Sequence, residues 1–138
     1  MLFRSEEDAQ EVMPILGPRS RAKLRGVHPD LVKVVERAIE ITLVDFTVLE
    51  GLRTAARQQA LVDAGASQTL KSRHLTGHAV DLGAWVDDQV DWSWPLYPKI
   101  ADAMKTAARQ VGVPIEWGGD WVSFKDGPHF QLPAKVYS

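Results

Sequence analysis

The sequence contains no cysteine. That single absence excludes disulfide frameworks, thiol nucleophiles, thiolate zinc sites and iron–sulfur clusters together. Any metal must be held by nitrogen and oxygen from His, Asp and Glu, and the chain has only four His. No run approaches the roughly 20 apolar residues needed to span a bilayer, so membrane insertion is not expected. Nor is there an excess of one charge. Lys and Arg number 16 against 18 Asp and Glu, for a net charge of -2, which gives no reason to expect a nucleic-acid partner. The N-terminal run Met1-Leu2-Phe3-Arg4-Ser5-Glu6-Glu7-Asp8 turns acidic before an apolar core can form, and so lacks the anatomy of a secretory signal. Internal repeats, low-complexity segments and Gly/Ser- or Pro-rich linkers are missing as well.

What remains is an ordinary globular composition, 45% hydrophobic and 25% charged over 138 residues, which fits one domain. A chain of this size buries about two thirds of its unfolded surface and needs no staple. Arg21, Lys23 and Arg25 alternate and suit the solvated face of a short helix. From Pro29 the apolar residues Leu31, Val34, Val35, Ala38 and Ile39 follow one helical face, with His28 as a helix-start residue. Residues 45–49 predict a strand closed by Gly51, and residues 54–63 a helix stopped by Gly65. Residues 79–86 predict an extended segment. Tyr97, Ile100, Ala101, Met104, Ala108 and Val111 form a second helical stripe ending at Gly112 and Pro114, and residues 129–132 a last short strand. Helices and strands mix without regular βαβ alternation, which makes the fold class α+β.

Two segments carry the chemistry, Ser72 to Leu82 and Trp117 to Phe130. In a strand over 79–84, Ala79, Asp81 and Gly83 share one face and Val80, Leu82 and Ala84 the other. With the apolar face in the core, Asp81 points into a space flanked by two very small residues, with room for a ligand or an ion. A turn at Gly77 lets His74 fold back toward it. His129 and Gln131 share a face opposite Phe130 and Leu132, so His129 can add a third ligand from a neighbouring strand. Two imidazoles, one carboxylate and no thiol suit a catalytic zinc site, which leaves a position open for water. Asp126, three residues before His129 across Gly127-Pro128, suits the base such a hydrolase needs. Spacing alone leaves two alternatives open: His78 in place of His74, and polar residues satisfied by backbone partners.

At these residues the sequence resembles the zinc D-alanyl-D-alanine carboxypeptidases and their peptidoglycan endopeptidase relatives, above all the phage endolysin branch of L-alanyl-D-glutamate peptidases. The resemblance rests on Ser-x-His-x-x-Gly-x-Ala-x-Asp at 72–81 and Asp-x-x-His at 126–129. Gly26 to Leu31 and Glu50 to Thr54 fall in the same order as in that branch. It spans residues 20–133, leaving 1–19 as an extension of a single peptidase domain. It implies a small hedgehog- and D,D-peptidase-like α+β domain, with helices packing a short antiparallel sheet at a site for one zinc ion. The implied ligands are His74, Asp81 and His129, with Asp126 as catalytic base and acid. Arg53 matches an arginine near the scissile carbonyl, where it would hold the oxyanion or grip a substrate carboxylate. Ser72 would hydrogen-bond substrate or stabilise a turn, and Trp117 and Trp121 would line the cleft or pack the core. His78 falls at a variable position of the motif and suits the rim.

The implied partners are bacterial peptidoglycan stem peptides, cut at L-Ala–D-Glu, or at terminal D-Ala if the chain is a D,D-carboxypeptidase. The implied setting is the host cytoplasm, with access to the wall through a separate membrane pore, and a monomer is the default. A non-haem iron oxygenase also uses two His and one carboxylate, but its first pair is His-x-Asp, and here six residues separate His74 from Asp81. A wall-binding module without catalysis would not need Asp126. Asp87, Asp88 and Asp91 form an acidic loop whose spacing is a weak calcium signal.

Overall fold

The computed structural model describes residues 14–67 and 69–138. The acidic N-terminal run lies outside the described residues, as does most of the expected extension. Helix α1, Pro18–Lys23, begins on a proline whose missing N–H costs a helix start nothing, and it leaves Arg21 and Lys23 exposed. Helix α2, Pro29–Ile41, buries the five residues of the expected stripe. His28 caps it, its Nδ1 accepting from the Asp30 N–H at 3.0 Å. Helix α3, Ala55–Asp63, is capped by Thr54 and buries only Gln58. Helix α4, Leu96–Val111, buries Tyr97, Ile100, Ala101, Met104 and Ala108 of the expected stripe. It ends where Gly112 takes a left-handed φ of 73°, a conformation that suits glycine. Val111, expected on the same stripe, is exposed because the last turn runs past the core.

The strands are β1 (Phe46–Glu50), β2 (Ala79–Val86), β3 (Gln89–Asp91), β4 (Glu116–Trp117) and β5 (His129–Gln131). They form an antiparallel sheet in the order β1-β2-β5-β4, with β3 paired to the far half of β2. Strand β3 replaces the loop expected over 87–91. Asp87 and Asp88, at φ 52° and 63°, make the tight turn that returns the chain along β2. Val80, Leu82 and Phe130 from the sheet join the inner faces of α2 and α4 in one apolar core. The small-residue face of β2 is also partly filled. A Cβ on Gly83 would meet the Leu49 side chain at 2.9 Å, so the free space lies around Asp81 alone.

The sheet register then assembles the site. Asp81 pairs with His129 on β5, and with Glu50 on β1 just past an irregularity between Val48 and Glu50. His74 arrives on a 3-10 turn, Arg73–Thr76, that closes on Gly77 at φ 75°. A Cβ on Gly77 would come within 2.3 Å of the Gly26 carbonyl oxygen, so only glycine lets this turn dock against the loop before α2.

Candidate active site

His74 is almost fully buried and held from two sides. Its backbone N–H donates to Ser72 Oγ at 3.2 Å, and its Nδ1–H donates to the Gly51 carbonyl at 2.9 Å. That second bond leaves Nε2 as a lone pair 3.2 Å from Asp81 Oδ1. His129 is held the opposite way round. Its Nε2 lies 2.8 Å from Gln131 Oε1, and the Gln131 amide is oriented by donating to Glu116 Oε1 at 3.3 Å. The Nδ1 of His129 therefore faces Asp81 Oδ1, again at 3.2 Å. One donor atom from each of His74, Asp81 and His129 lies within 4.8 Å of the others, the only such group among the described residues. With both outer nitrogens acting as donors, two lone pairs and a carboxylate oxygen converge on one point. A cation there resolves the repulsion, and fixing the outer nitrogens is how metal-ligating histidines are oriented.

Where an inner nitrogen carries a proton instead, the same contact becomes a hydrogen bond to Asp81. Burial pushes the Asp81 carboxyl up, but hydrogen bonds and charge from His129 and His74 outweigh it and hold the group well below the usual carboxylate range. Burial lowers His129, while Asp81, Gln131 and Asp126 outweigh it and raise its pKa.

Arg53 sits beside this group, its guanidinium 3.7 Å from Asp81 Oδ2 and its side chain 9% exposed. Its remaining donors are committed. Nε donates to Glu50 Oε1 at 2.5 Å and a terminal nitrogen ion-pairs with the same carboxylate. The other terminal nitrogen donates to Gln58 Oε1 at 2.7 Å and lies 3.5 Å from Ser72 Oγ. Gln58, 1% exposed, donates in turn to Ser67 Oγ at 2.8 Å and to the Thr69 carbonyl at 2.5 Å. Glu50 and Gln58 were not singled out from the sequence, although signals existed. Glu50 precedes Arg53 by three residues with opposite charge, and Gln58 precedes Leu61 and Val62 at helical spacing, on the inward face.

His74, Asp81, His129, Arg53 and Glu50 line a cleft of about 870 Å³, to which Ser72, Trp121, Lys125 and Asp126 also contribute. The Asp126 N–H donates to the Gly118 carbonyl at 3.0 Å, and its carbonyl accepts from the His129 N–H at 3.2 Å. Those backbone bonds tie the Gly127-Pro128 turn down. The Asp126 carboxylate has no hydrogen-bond partner among the described residues. Burial raises its pKa and the Asp81 charge adds to the rise, against opposing contributions from His129, His74 and Arg53. A half-buried carboxylate with free lone pairs and a raised pKa is suited to proton transfer.

Trp121 packs its ring 5.2 Å from that of His129. Trp117, for which cleft and core were both open, lies in the core. It stacks on Trp94 and Phe130 at 5.9 and 6.4 Å and donates from Nε1 to the Gly127 carbonyl at 2.7 Å. It thus supports the Asp126 turn from behind. His78 stands outside the donor set, 2.6 Å from Thr76 Oγ1. Asp87 and Asp88 sit exposed on the hairpin turn, and Asp91 Oδ1 accepts from the Ser93 N–H at 2.9 Å. None of the three joins a metal-holding group.

Comparison with known proteins places this geometry. The family model described as phage L-alanyl-D-glutamate peptidase matches residues 13–132. The L-alanyl-D-glutamate peptidase of Escherichia phage T5 is 32% identical over 109 residues, 76% of this chain and 80% of that protein. The protein of the same name from Listeria phage A118 is 38% identical over 94 residues, 68% of this chain but 32% of its own longer length. The crystal structure of the Serratia marcescens L-Ala D-Glu endopeptidase ChiX superposes with a TM-score of 0.86 at 53% identity, covering 92% of this chain and 96% of that one. The vancomycin-resistance D,D-dipeptidase VanXYg shares the fold, with a TM-score of 0.53 at 20% identity over 77% of this chain and 50% of its own. The α+β domain with its short antiparallel sheet is therefore the fold of these peptidases, and the chain belongs to the phage L-alanyl-D-glutamate peptidase family.

Proposed function

We propose that the protein is a zinc-dependent endopeptidase that hydrolyses the L-Ala–D-Glu bond in peptidoglycan stem peptides. The observation that carries this reading is the convergence of His74, Asp81 and His129 on one point at the floor of a cleft that also holds Asp126. Two imidazoles and one carboxylate make a three-ligand set with an open side, which is the catalytic zinc pattern. A zinc ion bound there supplies Lewis acidity toward a water and toward the scissile carbonyl.

The chain's own residues do the rest. Asp126 takes a proton from the attacking water on its free carboxylate oxygen and returns it to the leaving amine nitrogen. Arg53, fixed by Glu50 and Gln58, orients Asp81 and adds a fixed positive field beside the reacting carbonyl. Ser72 holds the His74 turn and faces substrate, and Trp121 forms the cleft wall against His129. In this reading the enzyme works as a monomer, held in the host cytoplasm until a separate membrane pore gives it the wall. No helix among the described residues is long and apolar enough to cross a membrane.

Digestion of purified muropeptides with mass spectrometry of the products tests the bond assignment. New D-Glu amino termini with matching L-Ala carboxyl termini are expected. Free D-Ala with intact L-Ala–D-Glu bonds would identify a D,D-carboxypeptidase instead.

The hydrogen bonds behind the ligands give a second expectation. Gln131→Leu leaves His129 Nε2 without an acceptor and frees its ring, so zinc affinity should fall about 10- to 100-fold. Competition against a chromophoric chelator measures it, with circular dichroism to confirm an intact fold. Unchanged affinity would remove Gln131 from the site's support.

A further inference from the structure

The bond assigned above joins an alanyl carbonyl to the amine of a D-glutamyl residue. Glutamate has two carboxyl groups and the peptide chain uses one of them, so the other remains a free carboxylate unless it is amidated. That carboxylate lies within a few bonds of the leaving nitrogen. A site that reads it needs a cation close to the group that protonates that nitrogen, which is Asp126 in the proposed mechanism.

The cleft is positive although the chain is not. Five Lys or Arg side chains line it against three carboxylates, in a protein with a net charge of -2. Most of these cations are already committed. Arg53 is locked to Glu50, Gln58 and Asp81. Arg73 donates to the carbonyls of Leu132 and Tyr137 at 2.9 and 2.7 Å. Arg57 lies 4.0 Å from Glu50 Oε2. Lys71 and Lys125 have no carboxylate within ion-pair distance among the described residues. Lys71 precedes Ser72, on the side of the cleft where Arg53 is tied down. Lys125 is adjacent in sequence to Asp126, in the segment closed by the Asp126–Gly118 backbone bond. Its ammonium donates only to the neutral Gly119 carbonyl, at 3.3 Å, so two of its three donors are unspent.

We propose that Lys125 binds the free carboxylate of the D-glutamyl residue and makes the enzyme discriminate against peptides in which that carboxylate is an amide. The proposal rests on the L-Ala–D-Glu reading and deepens it by naming what the leaving-group side of the cleft recognises. An ammonium–carboxylate hydrogen bond is stronger than one to a neutral amide, which also offers one acceptor oxygen where the carboxylate offers two.

The test is steady-state hydrolysis of two muropeptides that differ only in that carboxylate or carboxamide. The wild-type protein should favour the acid by roughly tenfold or more in kcat/KM, the scale of one charged hydrogen bond. Lys125→Ala should lower hydrolysis of the acid toward that of the amide and erase the preference, while Lys125→Arg and Lys71→Ala should both keep it. Lys125 is exposed, so its replacement leaves the core untouched. Equal wild-type rates on the two peptides, a full preference in Lys125→Ala, or a preference lost in Lys71→Ala would each overturn the assignment while the endopeptidase reading stands. Failure to cut either peptide at L-Ala–D-Glu would overturn that reading, and this proposal with it.

Discussion

Asp126→Asn is expected to lower kcat by about 10²- to 10⁴-fold, the usual worth of a positioned proton-transfer group, while the bound metal stays near one equivalent. The two halves of that expectation come from different atoms. Asp126 is held by its backbone, through the N–H bond to Gly118 and the carbonyl bond from His129, and neither involves the carboxylate. Asparagine keeps the size and the backbone geometry but can no longer accept a proton near neutral pH. The proposed ligand atoms belong to His74, Asp81 and His129, so the donor set survives intact. KM should move little, because the lost interaction matters only while a proton is in transit. Product release followed by chromatography, with metal content by elemental analysis on the same sample, reads both quantities. A variant with wild-type kcat would remove Asp126 from the mechanism. One that had also lost its metal would make the residue a support of the site and not its base.

How much of this was legible depends on whether a feature is written in local periodicity. The inward faces of α2 and α4 were readable because their apolar residues repeat at helical spacing within one segment, and Gly112 marks a stop by its own conformational freedom. Asp81 and His129 were readable because strand alternation separates them from the apolar residues beside them, and His74 because Gly77 allows the chain to turn back toward them. Trp117 and Trp121 were not separable in this way, since both flank Gly118-Gly119-Asp120. What divides them is pairing across β4 and β5. Trp117 lies opposite Phe130 on the core face, whereas Glu116 lies opposite Gln131 on the face that carries His129. Trp121 reaches the cleft beyond the intervening 3-10 turn. Strands β3 and β4, of three and two residues, are too short to show a period. Glu50 and Gln58 owe their roles to Arg53, a partner that only the folded chain identifies.

Removing the metal with a chelator is expected to abolish hydrolysis and also to lower the melting temperature. The second effect follows from the way the site is built. The Gly51 carbonyl and Gln131 fix the outer nitrogens of His74 and His129, so both inner nitrogens are aimed at the Asp81 carboxylate whether or not an ion is bound. The fold therefore holds three electron-rich atoms together, and an ion that binds only this arrangement stabilises it. At a thousandfold excess over its dissociation constant such an ion contributes about 4 kcal/mol. For a domain of this length that corresponds to roughly 10 °C or more. Adding back zinc should restore activity and melting temperature together. Two variants separate the contributions. His129→Ala should lose both the activity and the metal-dependent part of the thermal shift, whereas Asp126→Asn should lose the activity and keep the shift. A melting temperature indifferent to chelator in the wild-type protein, with activity retained, would mean that His74, Asp81 and His129 form a hydrogen-bonded polar cluster and not a metal centre.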